Sequence, residues 1–162
     1  AKISSIYPSW SVKIYGDGPE RAGLISLIRR HELMESIEII SPIRSIASEY
    51  RRASILCHPA KFEGFGLVVA EGLAAKLPVV AFSDCEGIVE YVKDGVNGLL
   101  ADRSEGAVGL AFALSRLIED ENLRNELAEN GPAAVASFSE HDYRERWVGL
   151  IQSVLDDGIK AR

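Results

Sequence analysis

The sequence predicts an α/β fold: a parallel sheet with helices on both of its faces. Three observations lead there. Short apolar runs alternate with longer segments of helical periodicity, the order that strand–helix–strand units require. The runs are almost free of charge, as in Pro78-Val79-Val80-Ala81-Phe82, which is the pattern of strands buried on two faces. Turn-forming clusters punctuate them, among them Gly16-Asp17-Gly18-Pro19, Asp94-Gly95 and Asn97-Gly98.

Residues 1–7 read as the end of a helix whose start, with a strand ahead of it, is expected upstream of Ala1. Residues 11–15 (SVKIY) form a strand, stopped by the Gly16–Pro19 cluster. In residues 20–31, Leu24, Ile25, Leu27 and Ile28 recur at helical spacing. Residues 37–40 are a second strand. Residues 45–52 are a short helix, with Ile46 and Tyr50 one turn apart. Residues 55–58 are a third strand, ended by Pro59; Cys57 within it reads as a buried strand residue. Residues 66–75, rich in Ala, Leu and Val, are a helix, and residues 78–82 a fourth strand. Residues 88–93 form a short helix closed by Asp94-Gly95, and residues 99–101 a fifth strand. Three helices follow, over 105–119, 121–137 and 140–156. The last carries Tyr143, Trp147, Leu150, Ile151 and Val154 along one stripe, which is expected to be partly exposed.

The 162 residues amount to a single domain, which buries about 70% of its unfolded surface and needs no disulfide or metal to hold a core. Eighteen basic against 24 acidic residues leave a net charge of −6, without the basic footprint of a nucleic-acid binder. No apolar run approaches the ~18 residues of a membrane-spanning helix. The opening AKISSIYPSW lacks the basic and apolar regions of a secretion signal, and the use of just two cysteines fits the expected reducing, cytoplasmic setting. Cys57 and Cys85 have no metal or redox spacing, and no His/Asp/Glu cluster does either, so no metal is expected. His31 and His141 read as surface residues.

Two stretches carry chemistry. The first is Gly16-Asp17-Gly18-Pro19-Glu20-Arg21, between a strand and a helix. Glycines there let a ligand approach the backbone, and amides at a helix start attract anions. An ordinary turn explains the same residues, and Arg21 stands where a dinucleotide fingerprint needs its third glycine. The second is residues 58–75, HPAKFEGFGLVVAEGLAA. It follows a strand of a parallel sheet, at the edge where ligands bind. Gly64 and Gly66 expose backbone amides at a helix start, which suits a diphosphate. Glu71 lies roughly 7–8 Å further along the axis. A carboxylate repels phosphate, so Glu63 and Glu71 suit the hydroxyls of an extended ligand. The competing reading makes Glu63 a cap and Glu71 a solvent-facing residue. Against it, Leu67, Val68, Val69, Ala70 and Leu73 surround Glu71 with apolar side chains, where a carboxylate is expected to be partnered or functional. His58, at the strand end, either serves catalysis or points away, and Lys61 either helps neutralise a diphosphate or is merely solvated.

The stretch Glu63-Gly64-Phe65-Gly66-Leu67 through Glu71 resembles the Glu-x7-Glu motif of the family-four retaining glycosyltransferases (group 1 glycosyl transferases). The similarity continues through VKIYGDGPER (12–21), ILCHPAKFEGFGLVVAEGLAAKLPVVA (55–81), IVEYVKDGVNGLLA (88–101) and SFSEHDY (137–143), in the family's order. The resemblance implies the Rossmann-like C-terminal half of a GT-B enzyme, the half that holds a UDP-, GDP- or ADP-sugar with no other cofactor. Glu71 then matches the glutamate on the ribose hydroxyls, and Glu63 the one on the donor sugar and the catalytic candidate. The amides around Gly64, Phe65, Gly66 and Leu67 face sugar and diphosphate. Gly16 and Asp17 line the cleft, and backbone near Pro42, Ile43 and Arg44 borders the base. Glu90 is read as structural. The full enzyme would transfer the sugar, with its anomeric configuration kept, to a glycan or lipid at the cytoplasmic membrane face; the alternative is a non-catalytic nucleotide-binding module. Two family features lie outside these residues: an opening strand with an Arg/Lys pair, and the acceptor-binding N-terminal domain, without which the chain is expected to be inactive. A third departs from pattern, since the family's double-glycine turn reads Cys85-Glu86-Gly87 here.

Overall fold

A computed structural model describes residues 2–160. They form two compact units that divide between residues 48 and 49.

The first unit contains α1 (Lys2–Ile6), β1 (Val12–Tyr15), α2 (Arg21–Arg30) and β2 (Ile37–Ile40). β1 and β2 pair in parallel, with Val12 opposite Ile37 and Tyr15 opposite Ile40. A parallel pair needs a crossover, and α2 supplies it. Its Ile28 is buried, and Arg29 and Arg30 lie in its last turn, where cations favour the helix dipole. The helix expected over 45–52 is a single turn, α3 (Ala47–Tyr50), which runs across the division and carries Tyr50 in the second unit.

The second unit is built on β3 (Leu56–His58), β4 (Val79–Phe82) and β5 (Gly98–Ala101), parallel and in that order. β4 is the centre strand and is buried along its whole length. Its side chains alternate between two cores, as a period of two demands. Val79 and Ala81 join Val69, Leu73, Ile88 and Val92 on one face. Val80 joins Leu99, Ala113, Leu117 and Leu127 on the other. The helices are α4 (Leu67–Ala74), α5 (Glu86–Val89), α6 (Ala107–Glu119), α7 (Glu121–Val135) and α8 (Glu140–Lys160). Asp120 caps α7 by accepting the Leu123 N–H at 2.9 Å. On α8 the expected apolar stripe is exposed, with Trp147 at 50% and Val154 at 63%.

Three expectations need correction. Cys57 is exposed, because β3 is an edge strand of its sheet. Enough protein still surrounds its thiol to push its pKa up to about 11. The short helix expected at 88–93 is instead α5, starting at Glu86 and ending at Val89. The cause is Asn97, almost fully buried. Its Oδ1 accepts the Lys93 N–H at 2.8 Å and its Nδ2 donates to the Tyr91 carbonyl at 2.9 Å, which takes both backbone groups out of any continued helix. Residues 136–138 leave the seventh helix as a 3-10 turn.

Candidate functional site

β3, β4 and β5 all end at one edge of their sheet, and the segment from His58 to Glu71 leaves that edge as a loop and then as α4. Gly66 opens the helix in the left-handed region, with φ 71° and ψ 55°. A side chain at Gly66 is excluded on two counts: the conformation itself, and a Cβ only 2.8 Å from the Tyr91 hydroxyl. Val69 and Ala70 donate to the Gly66 carbonyl, and the N–H groups of Leu67 and Val68, at the very start of α4, come too early for an acceptor within the helix, so this end offers donors to a ligand.

The two carboxylates lie on either side of that helix start. Glu63 Oε1 accepts the Gly64 N–H at 3.2 Å. Its Oε2 lies 3.4 Å from His58 Nε2, close enough for an ion pair when the ring is protonated. That nitrogen is buried and has no hydrogen bond. His58 therefore points at Glu63 and not away from it. Glu71 is exposed, and Leu67 and Val68 beside it are exposed at 68% and 46%. Its apolar neighbours at 67 and 68 therefore do not bury it; Val69 and Leu73 do turn into the core. The partner expected for Glu71 is Tyr50, whose hydroxyl donates to Oε2 at 3.1 Å. Burial, and then that bond to Glu71, push the Tyr50 phenol up to about 12.

Several residues that sequence reasoning passed over hold this segment. Gly87 packs directly on it: a Cβ there would fall 2.1 Å from the Glu63 carbonyl oxygen and 2.7 Å from the Gly64 carbonyl. This is the retained glycine of the family's double-glycine turn, while Glu86, at the other position, is exposed. The Tyr91 hydroxyl donates to the Phe65 carbonyl and lies 2.9 Å from that of Gly66. The Tyr91 ring sits with Phe65 and Phe138 in an aromatic cluster, the latter pair edge to face at 4.9 Å between centroids. Arg103 joins three loops at the same edge. It ion-pairs with Asp84, donates to the Ala60 carbonyl at 3.0 Å and lies 4.2 Å above the Phe82 ring. The guanidinium holds the Asp84 carboxyl below its ordinary range. None of these roles has a signature in spacing, since every partner is remote in sequence. The retained glycine was the one available signal.

In the first unit, Gly16 and Asp17 follow β1, and Pro42, Ile43 and Arg44 follow β2, so parallel pairing brings both groups to one end of that sheet. The Gly16 N–H donates to the Ile40 carbonyl at 2.9 Å. Asp17 is exposed, 3.8 Å from Arg21. A hollow of about 470 Å³ in this unit is lined by Val12, Arg21, Arg29, Met34 and Glu38 among others, and by none of the five expected ligand residues. Lys61, Glu90, His31 and His141 are exposed. Among the described residues no group of three His, Cys, Asp or Glu is placed to hold a metal, and no helix is long and apolar enough to cross a membrane.

The sequence matches the family described as glycosyl transferases group 1 over residues 1–134. An exopolysaccharide phosphotransferase of Streptomyces coelicolor is 32% identical over 156 residues, which cover 96% of this chain and 16% of that protein. The crystal structure of the C-terminal domain of LpcC, a group 1 glycosyl transferase family protein of Francisella tularensis, superposes with a TM-score of 0.75 at 28% identity, covering 84% of this chain and 73% of that one. Anabaena HepE in complex with UDP superposes with a TM-score of 0.83 at 25% identity, covering 93% of this chain and 44% of that one. The chain spans less than half the length of the curated relatives it matches.

Proposed function

Because the chain belongs to the group 1 glycosyl transferases, with the fold of a GT-B C-terminal domain, we propose that it is the donor-binding part of a retaining enzyme. The full protein would move a sugar from a nucleoside diphosphate to a glycan or lipid acceptor. The observation that carries this reading is the pair of carboxylates, Glu63 and Glu71, placed before and after the αL start of α4 at the carboxyl edge of the sheet. Neutral, hydroxyl-rich parts of the ligand suit the carboxylates, and the diphosphate suits the amides between them. Glu71, held on one oxygen by Tyr50, takes the ribose hydroxyls. Glu63 takes the donor sugar and orients it.

In the proposed reaction the bond from the anomeric carbon to the phosphate oxygen breaks, and the acceptor oxygen bonds on the same face. The acceptor proton passes to the leaving phosphate. Helix-start amides stabilise the negative charge that develops there, and basic groups from the rest of the protein complete the neutralisation. The acceptor site is proposed to lie in that remainder too.

Calorimetry of the chain against UDP, GDP and ADP, repeated with Glu71→Ala, tests the reading. One nucleotide binds the wild type, and the variant loses at least about tenfold in affinity, the worth of a charge-assisted hydrogen bond. Equal affinity in the variant removes Glu71 from the site. Binding that survives with no transfer by the full-length protein leaves a non-catalytic nucleotide-binding module.

A further inference from the structure

We propose that two buried tyrosines are positioning residues for the donor segment, one at each end: Tyr91 holds the turn at residues 65–66, and Tyr50 holds Glu71. The inference rests on the reading of that segment as the donor site. Neither phenol reaches a ligand; each acts through the group it holds.

Tyr91 is 4% exposed, and its hydroxyl faces the carbonyls of two successive residues, Phe65 and Gly66. A trans peptide carries its C=O and N–H on opposite sides. Drawing these two carbonyls toward one hydroxyl therefore turns the N–H groups of Gly66 and Leu67 the other way, away from Tyr91. The Gly66 carbonyl also receives the N–H groups of Val69 and Ala70, at 2.8 and 3.0 Å. The same oxygen thus starts the helix and anchors the turn. Phe65 and Phe138 fix the Tyr91 ring, and Gly87 leaves the room in which the turn lies against α5. The other end depends on none of this. Tyr50, 8% exposed, comes from α3 and engages Glu71 Oε2, which directs the remaining oxygen to the ligand. In this arrangement the diphosphate end and the ribose end are tuned by separate residues.

Tyr91→Phe and Tyr50→Phe keep the rings and remove only the hydroxyls. Two measurements on the 162-residue chain test the assignment. The first is amide hydrogen exchange without ligand. Tyr91→Phe should speed exchange at Val69 and Ala70 by about tenfold, the loss of one hydrogen bond, while Val80 and Ala81 in β4 are unchanged; Tyr50→Phe should change none of the four. Uniform acceleration across α4 and β4 in Tyr91→Phe makes the tyrosine a general packing residue and overturns its assignment. The second is calorimetry with UDP against uridine, with the guanine and adenine pairs run alongside. Tyr91→Phe should weaken the nucleoside diphosphate by about tenfold and the nucleoside less than twofold, while Tyr50→Phe weakens both alike. Equal losses in Tyr91→Phe, or no loss in Tyr50→Phe, overturn the two-ended arrangement. A wild-type chain that binds none of the six ligands counts against the donor-site reading instead, and the exchange pattern then decides for or against the Tyr91 clamp alone.

Discussion

Gly87 and Asn97 show how much of the site rests on single residues away from the two glutamates. The backbone of Glu63 and Gly64 fills the space where a Gly87 side chain would stand. Gly87→Ala must therefore displace backbone and not a flexible side chain. It should cost about 1–3 kcal/mol in urea unfolding and weaken nucleotide binding together with stability. Undiminished stability would mean that the loop moves aside freely. Asn97 answers two backbone groups at once, the buried carbonyl of Tyr91 and the part-buried N–H of Lys93. Asn97→Ala should cost roughly 1–3 kcal/mol, because those groups lose their partners. A denaturation midpoint equal to wild type would contradict that accounting. The two residues differ in how they appear in the sequence. Gly87 stands in a stretch with a family pattern, whereas Asn97 before Gly98 looks like any turn asparagine. Its side chain holds the 91–93 turn, and its carbonyl accepts the N–H of Val79 in β4.

Among the elements, the strands follow directly from composition. β4 is apolar at every position and buried at every position, and no competing assignment suits such a run between Pro78 and a turn. Helix α5 is the contrary case, since the side chain of Asn97, holding backbone groups four and six residues before it, ends it and not its own periodicity. Helix packing adds a constraint that periodicity leaves open. α7 meets α4 at Gly131, where a Cβ would lie 2.6 Å from the Leu73 carbonyl oxygen. Gly131→Ala should push the helices apart and cost about 1–3 kcal/mol, although alanine has the better helix propensity; a stabilised variant would show that propensity outweighs packing here. On α8, Trp147 is half exposed. Trp147→Ala should change unfolding free energy by no more than about 0.5 kcal/mol, read by urea titration followed by circular dichroism. A larger loss would mean that the helix is packed against protein.

For the molecule as a whole, the two positioning tyrosines predict how stability depends on pH. Burial raises the phenols of Tyr50 and Tyr91 from their ordinary value near 10 to about 12 in the folded chain. An unfolded chain ionises at the lower value, so between pH 10 and 12 it sheds protons that the folded chain keeps. Stability should fall across that window and be unaffected by these groups below it. Absorbance at 295 nm, read as the difference between wild type and the two Tyr→Phe variants, should show Tyr50 and Tyr91 titrating late, with release on unfolding; ionisation of these two phenols near 10 in the folded chain would refute the burial. The division between sequence and tertiary structure follows the range of the interactions involved. The alternation of strands and helices along the chain, the placing of Glu63 and Glu71 around one helix start and the family itself are determined by the sequence. Each depends on spacing or composition within about ten residues, where backbone geometry is nearly fixed. The partners of the carboxylates are decided by tertiary structure. Tyr50 stands 21 residues before Glu71, and Tyr91 stands 26 and 25 residues after the carbonyls it holds. Arg103 reaches Ala60 across 43 residues. Parallel strands bring such distant loops to one edge, and no local pattern records which side chain arrives there.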